Sequence, residues 1–284
     1  MRSPEDVPPH TDVVTTVRPA RGQGRPEVEA LVNEAFDGGA DLVVWRAPVG
    51  DWEARRVAWS LGFTFAPRAL RVDGARARSR EEWLGWLGRE EAREPRSRWL
   101  EPVVLEASRV RLRPWRAEDA TRLVEAATDA VFQTMLPHSP LPQRVEDVPG
   151  YLERLRLMEA NGTRVAWCVA DRETDLALGN VALFEFDTDE PDGTAQVGYW
   201  AHPEGRGRGA MSAAVDLASS WSMRSQDDGG LGLRRLFLLT AVSNVPSQRL
   251  AVRAGFVRVG TERLSAETAD GGWEDNALYD RLRD

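Results

Sequence analysis

The chain has one cysteine, three histidines and, among its 37 basic residues, no lysine at all. The single thiol, Cys168 in the apolar run VAWCVA, rules out an internal disulfide and points to a reducing, cytoplasmic setting. In that run it reads as a small buried hydrophobe rather than a nucleophile. His10, His138 and His202 lie far apart and no cysteine pair exists, so no zinc-type ligand spacing can be drawn and no metal is expected. No apolar stretch approaches the roughly 20 residues of a membrane span, and the opening MRSPEDVPPH lacks a signal-peptide core. A soluble protein without membrane partners is expected. The formal net charge of −8 disfavours nucleic acid and mildly favours a cationic partner or substrate. The missing lysine matches GC-rich coding bias more than function, although arginine forks well onto phosphates.

What is present is an ordinary globular composition, 42% hydrophobic with 24 Gly and 17 Pro, long enough for one large or two ordinary domains. The charged, proline-bearing stretch at 88–109 divides the chain as a linker or strapping helix, giving an expected front domain at 1–100 and a second at 101–284. After it, RVRLRPW alternates as a strand. AEDATRLVEAATDAVF follows as a helix with Leu123, Ala126, Ala127 and Val131 on one face. A proline-rich loop leads to a second helix with Tyr151, Leu152, Leu155 and Met158 on one side and Gly162 as its stop. Three strands come next, RVAWCVADRE, LALGNVALFEFD and TAQVGYWAHP, joined by TD and DEPDG turns that favour antiparallel pairing. A helix through AMSAAVDLASSWSMRS, the strand RRLFLLTA, the helix PSQRLAVRAG and two closing strands complete the order.

Between the third of those strands and the next helix lies HPEGRGRGAMSAA. The first backbone N–H groups of a helix have no partner inside it, and the helix dipole favours negative charge there. Phosphate suits such a place. Gly205, Gly207 and Gly209 let the backbone approach closely, while Arg206 and Arg208 add charged donors. A flexible loop with solvated arginines is the alternative.

In its place within the element order, the loop resembles the pyrophosphate signature Arg/Gln-x-x-Gly-x-Gly/Ala of the GCN5-related N-acetyltransferases (GNATs), through Arg206 and Gly209. VGYWAHPEGRGRG and NVPSQRLAVRAGFVRVG resemble especially the branch of ribosomal-protein N-terminal acetyltransferases, and the resemblance extends over about 109–284. It implies an α/β GNAT fold, a mixed and mostly antiparallel central sheet with helices on both faces, and acetyl-CoA as co-substrate. Tyr199, Trp200 and Ala201 would pair with the pantetheine arm, and the amides of Arg206, Gly207, Arg208, Gly209, Ala210 and Met211 would take the pyrophosphate. Asn244 and Ser247 match residues flanking the cofactor, with Ser247 the candidate general acid or, alternatively, a helix N-terminal polar residue.

Two positions depart from the pattern. Met211 stands where Gly or Ala is usual, and Gln196 where the branch often has Glu; an amide cannot serve as general base. That duty passes to Glu185, Asp187 or water, with Glu185 the candidate. Asp275 and Tyr279 would orient the acceptor or pack, packing being preferred for Tyr279. The implied reaction is direct acetyl transfer to a primary amine, either a protein N-terminus or a small molecule. A catalytically inactive acyl-CoA-binding or regulatory protein remains the alternative.

The front segment echoes the back. LVVWRAPVGDWEARRVAWSLGF aligns without a gap with LFLLTAVSNVPSQRLAVRAGF up to Gly62–Phe63 and Gly255–Phe256, and Arg21 and Gly24 stand in the signature positions of an upstream loop. Residues 13 to about 73 therefore read as the second half of the same fold without its first half, a smaller degenerate half-domain. Such a piece is expected to dock on the complete domain or on a second chain, the latter giving a homodimer. Trp45, Trp52, Trp59, Trp83, Trp86 and Trp99 would supply packing surface. Asp51 replaces Asn244, Ala54 replaces Ser247 and Pro26 replaces Met211, so one cofactor per chain is expected.

Overall fold

The computed structural model describes residues 13–67, 69–72, 80–187 and 193–283, and it divides into two compact units, Met1–Arg98 and Trp99–Asp284. His10 and most of the DEPDG turn lie outside the described residues.

The first unit contains β1 (Val14–Val17), α1 (Arg25–Asp37), β2 (Leu42–Pro48), α2 (Trp52–Ser60), β3 (Thr64–Phe65), β4 (Leu70–Val72) and β5 (Arg80–Gly88). β1 and β2 are parallel, β5 is antiparallel to β2, and β3 and β4 both pair with β5, giving the order β1-β2-β5-β3. Alternate residues Val43, Trp45 and Ala47 of β2 are buried, as are Val28, Val32 and Phe36 of α1. This is the period-2 and helical patterning that places one face of each element against the other. Arg55 of α2 is fully buried, its guanidinium stacked on Phe65 and Trp83, and its pKa is lowered by burial.

The second unit contains β6 (Leu105–Glu106), β7 (Val110–Arg113), α3 (Ala120–Ala127), α4 (Ala130–Met135), α5 (Val148–Ala160), β8 (Arg164–Asp171), β9 (Ala177–Asp187), β10 (Thr194–Ala201), α6 (Ala210–Met223), β11 (Arg235–Ala241), α7 (Val245–Arg253), β12 (Val257–Glu267) and β13 (Trp273–Leu282). Its eight strands run β12-β13-β11-β10-β9-β8-β7-β6, antiparallel except for the β10–β11 pair. Both faces of the sheet are covered. Val181 and Leu183 of β9 join the core under α6, whereas Ala182 between them joins the core under α3, α4 and α5.

Three expectations needed correction. The helix foreseen across 117–132 is two, because Asp129 ends the first by capping the second: its carboxylate accepts from the Phe132 amide, and Phe132 is buried while Val131 is exposed. Met158 is likewise exposed, with α5 burying Tyr151 and Leu155. The stretch 89–104 forms turns and extended chain rather than a strapping helix. Cys168 is fully buried, and burial pushes its thiol pKa up, the reverse of what a nucleophile needs.

The echo between front and back extends to topology. β10-α6-β11-α7-β12-β13 pairs as β10-β11-β13-β12, and β1-α1-β2-α2-β3-β5 pairs as β1-β2-β5-β3 with the same parallel and antiparallel senses. Asp51 caps α2 by accepting from the amide of Ala54, as Asn244 caps α7 by accepting from that of Ser247. Gly62 and Gly255 close the two helices at φ 82° and 81°.

Candidate active site

β10 and β11 run side by side for three residue pairs only, Thr194–Gln196 against Arg235–Phe237. Beyond Gln196 they part, although β10 continues to Ala201 on its pairing with β9. Tyr199, Trp200 and Ala201 therefore sit on a strand whose second edge is released from its neighbour. Side-chain direction then separates them. The Trp200 ring stacks on Trp115 at 5.6 Å and meets Phe132 edge-on, on the α3–α5 side of the sheet. Tyr199 points to the opposite side, half-buried, with its hydroxyl 2.8 Å from Ser247 Oγ. Burial pushes its phenol up to about 12.

The chain turns at Pro203–Gly205 and enters α6 through Gly209, with no side chain capping the helix. Its glycines serve different ends. Gly207 and Gly209 have φ of 73° and 76° with open space where a Cβ would stand, whereas a Cβ on Gly205 would lie 2.3 Å from the Leu178 carbonyl. Arg208 is exposed. Met211 is buried in the core, and its sulfur occupies space that only a glycine at Gly179 leaves open. It does not crowd the loop. The uncapped amides at the start of α6 and the bare glycine surface fit a phosphate group.

Ser247 is not the cap of α7. Asn244 does that work by accepting from the Ser247 amide at 3.1 Å, which leaves the Ser247 hydroxyl to Tyr199. Glu185 is exposed and has φ of 52° at a bulge where β9 gains a residue against β10. Such a conformation is costly for a non-glycine residue and re-aims the side chain. Asp275 is engaged by the Leu264 amide, and Tyr279 is buried with its hydroxyl on Gln248. Among the described residues no group of three or more His, Cys, Asp and Glu could hold a metal ion, and no helix is long and apolar enough to cross a membrane.

Sequence reading missed the contacts that hold this loop. His202 is buried, accepts from the Glu204 amide through Nδ1 and contacts Glu125 through Nε2 at 3.1 Å. Glu204 pairs with Arg122, and Arg206 with Asp129. The only available signal was the one-turn spacing of Arg122 and Glu125.

Residues 109–257 match the acetyltransferase (GNAT) domain family, just over half of the chain. The chain belongs to the GNAT acetyltransferase family. Over 105 residues it is 30% identical to a ribosomal-protein-serine acetyltransferase of Escherichia coli K12, covering 37% of this chain and spanning about half, 55%, of that relative. Among solved structures, Mycobacterium smegmatis RimJ in complex with CoA-disulfide superposes with a TM-score of 0.53 at 21% identity, over 61% of this chain and 81% of RimJ. The microcin C7 self-immunity acetyltransferase MccE, in complex with acetyl-CoA and AMP, does so with 0.52 at 19% identity, over 62% and 93%. These likenesses establish the GNAT fold for the second unit, and a smaller sheet unit precedes it.

Proposed function

We propose that the chain is an acetyl-CoA-dependent N-acetyltransferase that transfers acetyl directly to a primary amine. The observation that carries the reading is the parting of β10 from β11 beside an uncapped glycine loop, with the Ser247 hydroxyl reaching across to Tyr199. The family and its cofactor-bound neighbours supply the co-substrate. The amides of Gly207 to Met211 hold the pyrophosphate, that of Arg206, expected among them, being taken by the Pro203 carbonyl, and the freed edge at Tyr199–Ala201 pairs with the pantetheine arm.

In the reaction the acceptor amine loses a proton to Glu185 or to water. Its lone pair attacks the thioester carbonyl, whose oxyanion is stabilised by strand amides, and the C–S bond then breaks. The Ser247 hydroxyl donates toward the departing thiolate. The acceptor is a protein N-terminus or a small amine, the first favoured by the ribosomal-protein relative. Incubation with acetyl-CoA and a panel of amines, scored by free thiol and product mass, tests the reading; acetylated product without a protein-bound intermediate is expected.

A second reading, an acyl-CoA-binding protein without turnover, is favoured by Gln196 where a carboxylate would be expected and by the exposure of Glu185. Coenzyme A binding with no thiol release across the panel would select it. The first unit is a degenerate copy of the second half of the same domain, on its shared strand order and shared capping geometry.

A further inference from the structure

Three side-chain contacts join the segment entering the cofactor loop to the α3–α4 segment: the ion pairs Glu204 with Arg122 and Arg206 with Asp129, and between them the buried, neutral His202, which donates through Nε2 to Glu125. On one side the residues fall at every second position. On the other, Arg122 and Glu125 lie one turn apart on α3, and Asp129 is the extended residue between α3 and α4 that caps α4. Each contact also fixes backbone. His202 Nδ1 caps the turn at Pro203–Gly205, Arg122 donates to the Ala177 carbonyl, Arg206 also donates to the carbonyl of Ala201, and Asp129 caps α4. α4 in turn carries Phe132, which packs edge-on against Trp200 of the strand that precedes the loop. A closed circuit results, from loop to α4 to Trp200 and back along β10.

We propose that this ladder couples the cofactor loop to α4, with Asp129 as the positioning residue that transmits loop occupancy to the helix carrying Phe132. The proposal rests on the cofactor reading above and goes beyond it, because it gives the signature residue Arg206 a partner other than phosphate. Its guanidinium is engaged by a carboxylate that is mostly buried, and Asp129 is held below the usual carboxylate range chiefly by that bond. Loop amides made rigid by a bound anion then hold Arg206 still, Arg206 holds the α4 cap, and Phe132 is fixed against Trp200. The whole path is a chain of direct contacts between elements that a bound ligand orders together.

Hydrogen–deuterium exchange on the full chain, with and without saturating coenzyme A, tests this. Amides of 130–136 are expected to exchange at least about threefold more slowly in the complex. Asp129→Asn keeps a good capping residue but removes the charge, so the protection of 130–136 is expected to vanish while calorimetry still shows coenzyme A bound. Should that variant not fold, Asp129→Ser, which also caps a helix without carrying charge, removes the same contact from the α4 side and is expected to give the same loss with coenzyme A still bound. Unchanged exchange in the wild-type complex, or protection that persists in both variants, overturns the proposal. Absence of any coenzyme A binding by the wild-type chain would instead overturn the function proposed for the site.

Discussion

The Tyr199 hydroxyl lies 2.8 Å from Ser247 Oγ and 3.1 Å from the Ser247 carbonyl, so one phenol faces two oxygens of one residue. A phenol donates a single proton. When it goes to Oγ, the serine's own proton is free for another acceptor; when it goes to the carbonyl, the serine must donate to the phenol. Ser247→Ala should lower kcat by roughly 100-fold, within the usual range for a general acid, and leave coenzyme A affinity nearly unchanged. Tyr199→Phe should cost about tenfold, the scale of one hydrogen bond. Steady-state kinetics with calorimetry checks both, and equal kinetics in Ser247→Ala would remove it from the mechanism.

Gly209 and Gly205 should fail in different ways. At Gly209 the φ of 76° and the open space mean that Gly209→Val strains the loop by about 1–2 kcal/mol without a clash, so the acetyl-CoA dissociation constant rises while Tm falls little. At Gly205 the Leu178 carbonyl stands 2.3 Å from any added Cβ, so Gly205→Ala should lower Tm. Thermal melts and titrations on the two variants separate the effects.

Glu185 offers a test of base against strain. Its φ of 52° suits glycine, so Glu185→Gly should leave Tm unchanged or raised, while Glu185→Gln keeps the strained backbone. Both lack the carboxylate and should lose about 100-fold in kcat if Glu185 takes the proton. Full activity in both variants would pass the role to Asp187 or water.

Glu159 makes stability depend on pH. Burial raises its pKa from 4.5 to about 8, so the folded protein holds a proton that the unfolded chain releases. Its favourable contribution is complete below pH 4.5 and is lost as pH rises through about 8. Glu159→Gln cannot ionise, so its Tm advantage over the wild type should grow from pH 5 to pH 9. A difference independent of pH would contradict this.

One acetyl-CoA should bind per chain. In the first unit β1 ends at Val17, where its pairing with β2 ends, so no strand continues with a freed edge as β10 does. Gly24 has φ of −82° where Gly209 is left-handed, and Pro26 removes an amide at the helix start. Calorimetry should give one site, lost with changes at Arg206 and Gly209 and indifferent to changes at Arg21 and Gly24. Two equivalent sites would refute it.

Periodicity and turn chemistry carried most of the fold because they are local. The strands through Cys168, Phe184 and Trp200 and the loop at Gly209 could each be read from a dozen neighbouring residues. The repeat at Gly62 and Gly255 could be read because both copies need the same left-handed stop. The break in the helix before Phe132 was hidden, since Asp129 carries the same apolar rhythm through a cap.

The amino-acid sequence by itself determined the element order, the glycine loop and the family, each resting on residues near one another in the chain. Tertiary structure alone decided which face each side chain of β10 serves, why Met211 needs Gly179, that Ser247 answers to Tyr199 rather than to its own helix, and that Arg206 meets Asp129 from 77 residues away. Contacts between distant segments depend on sheet register and helix placement, and a one-residue shift in either would exchange every partner.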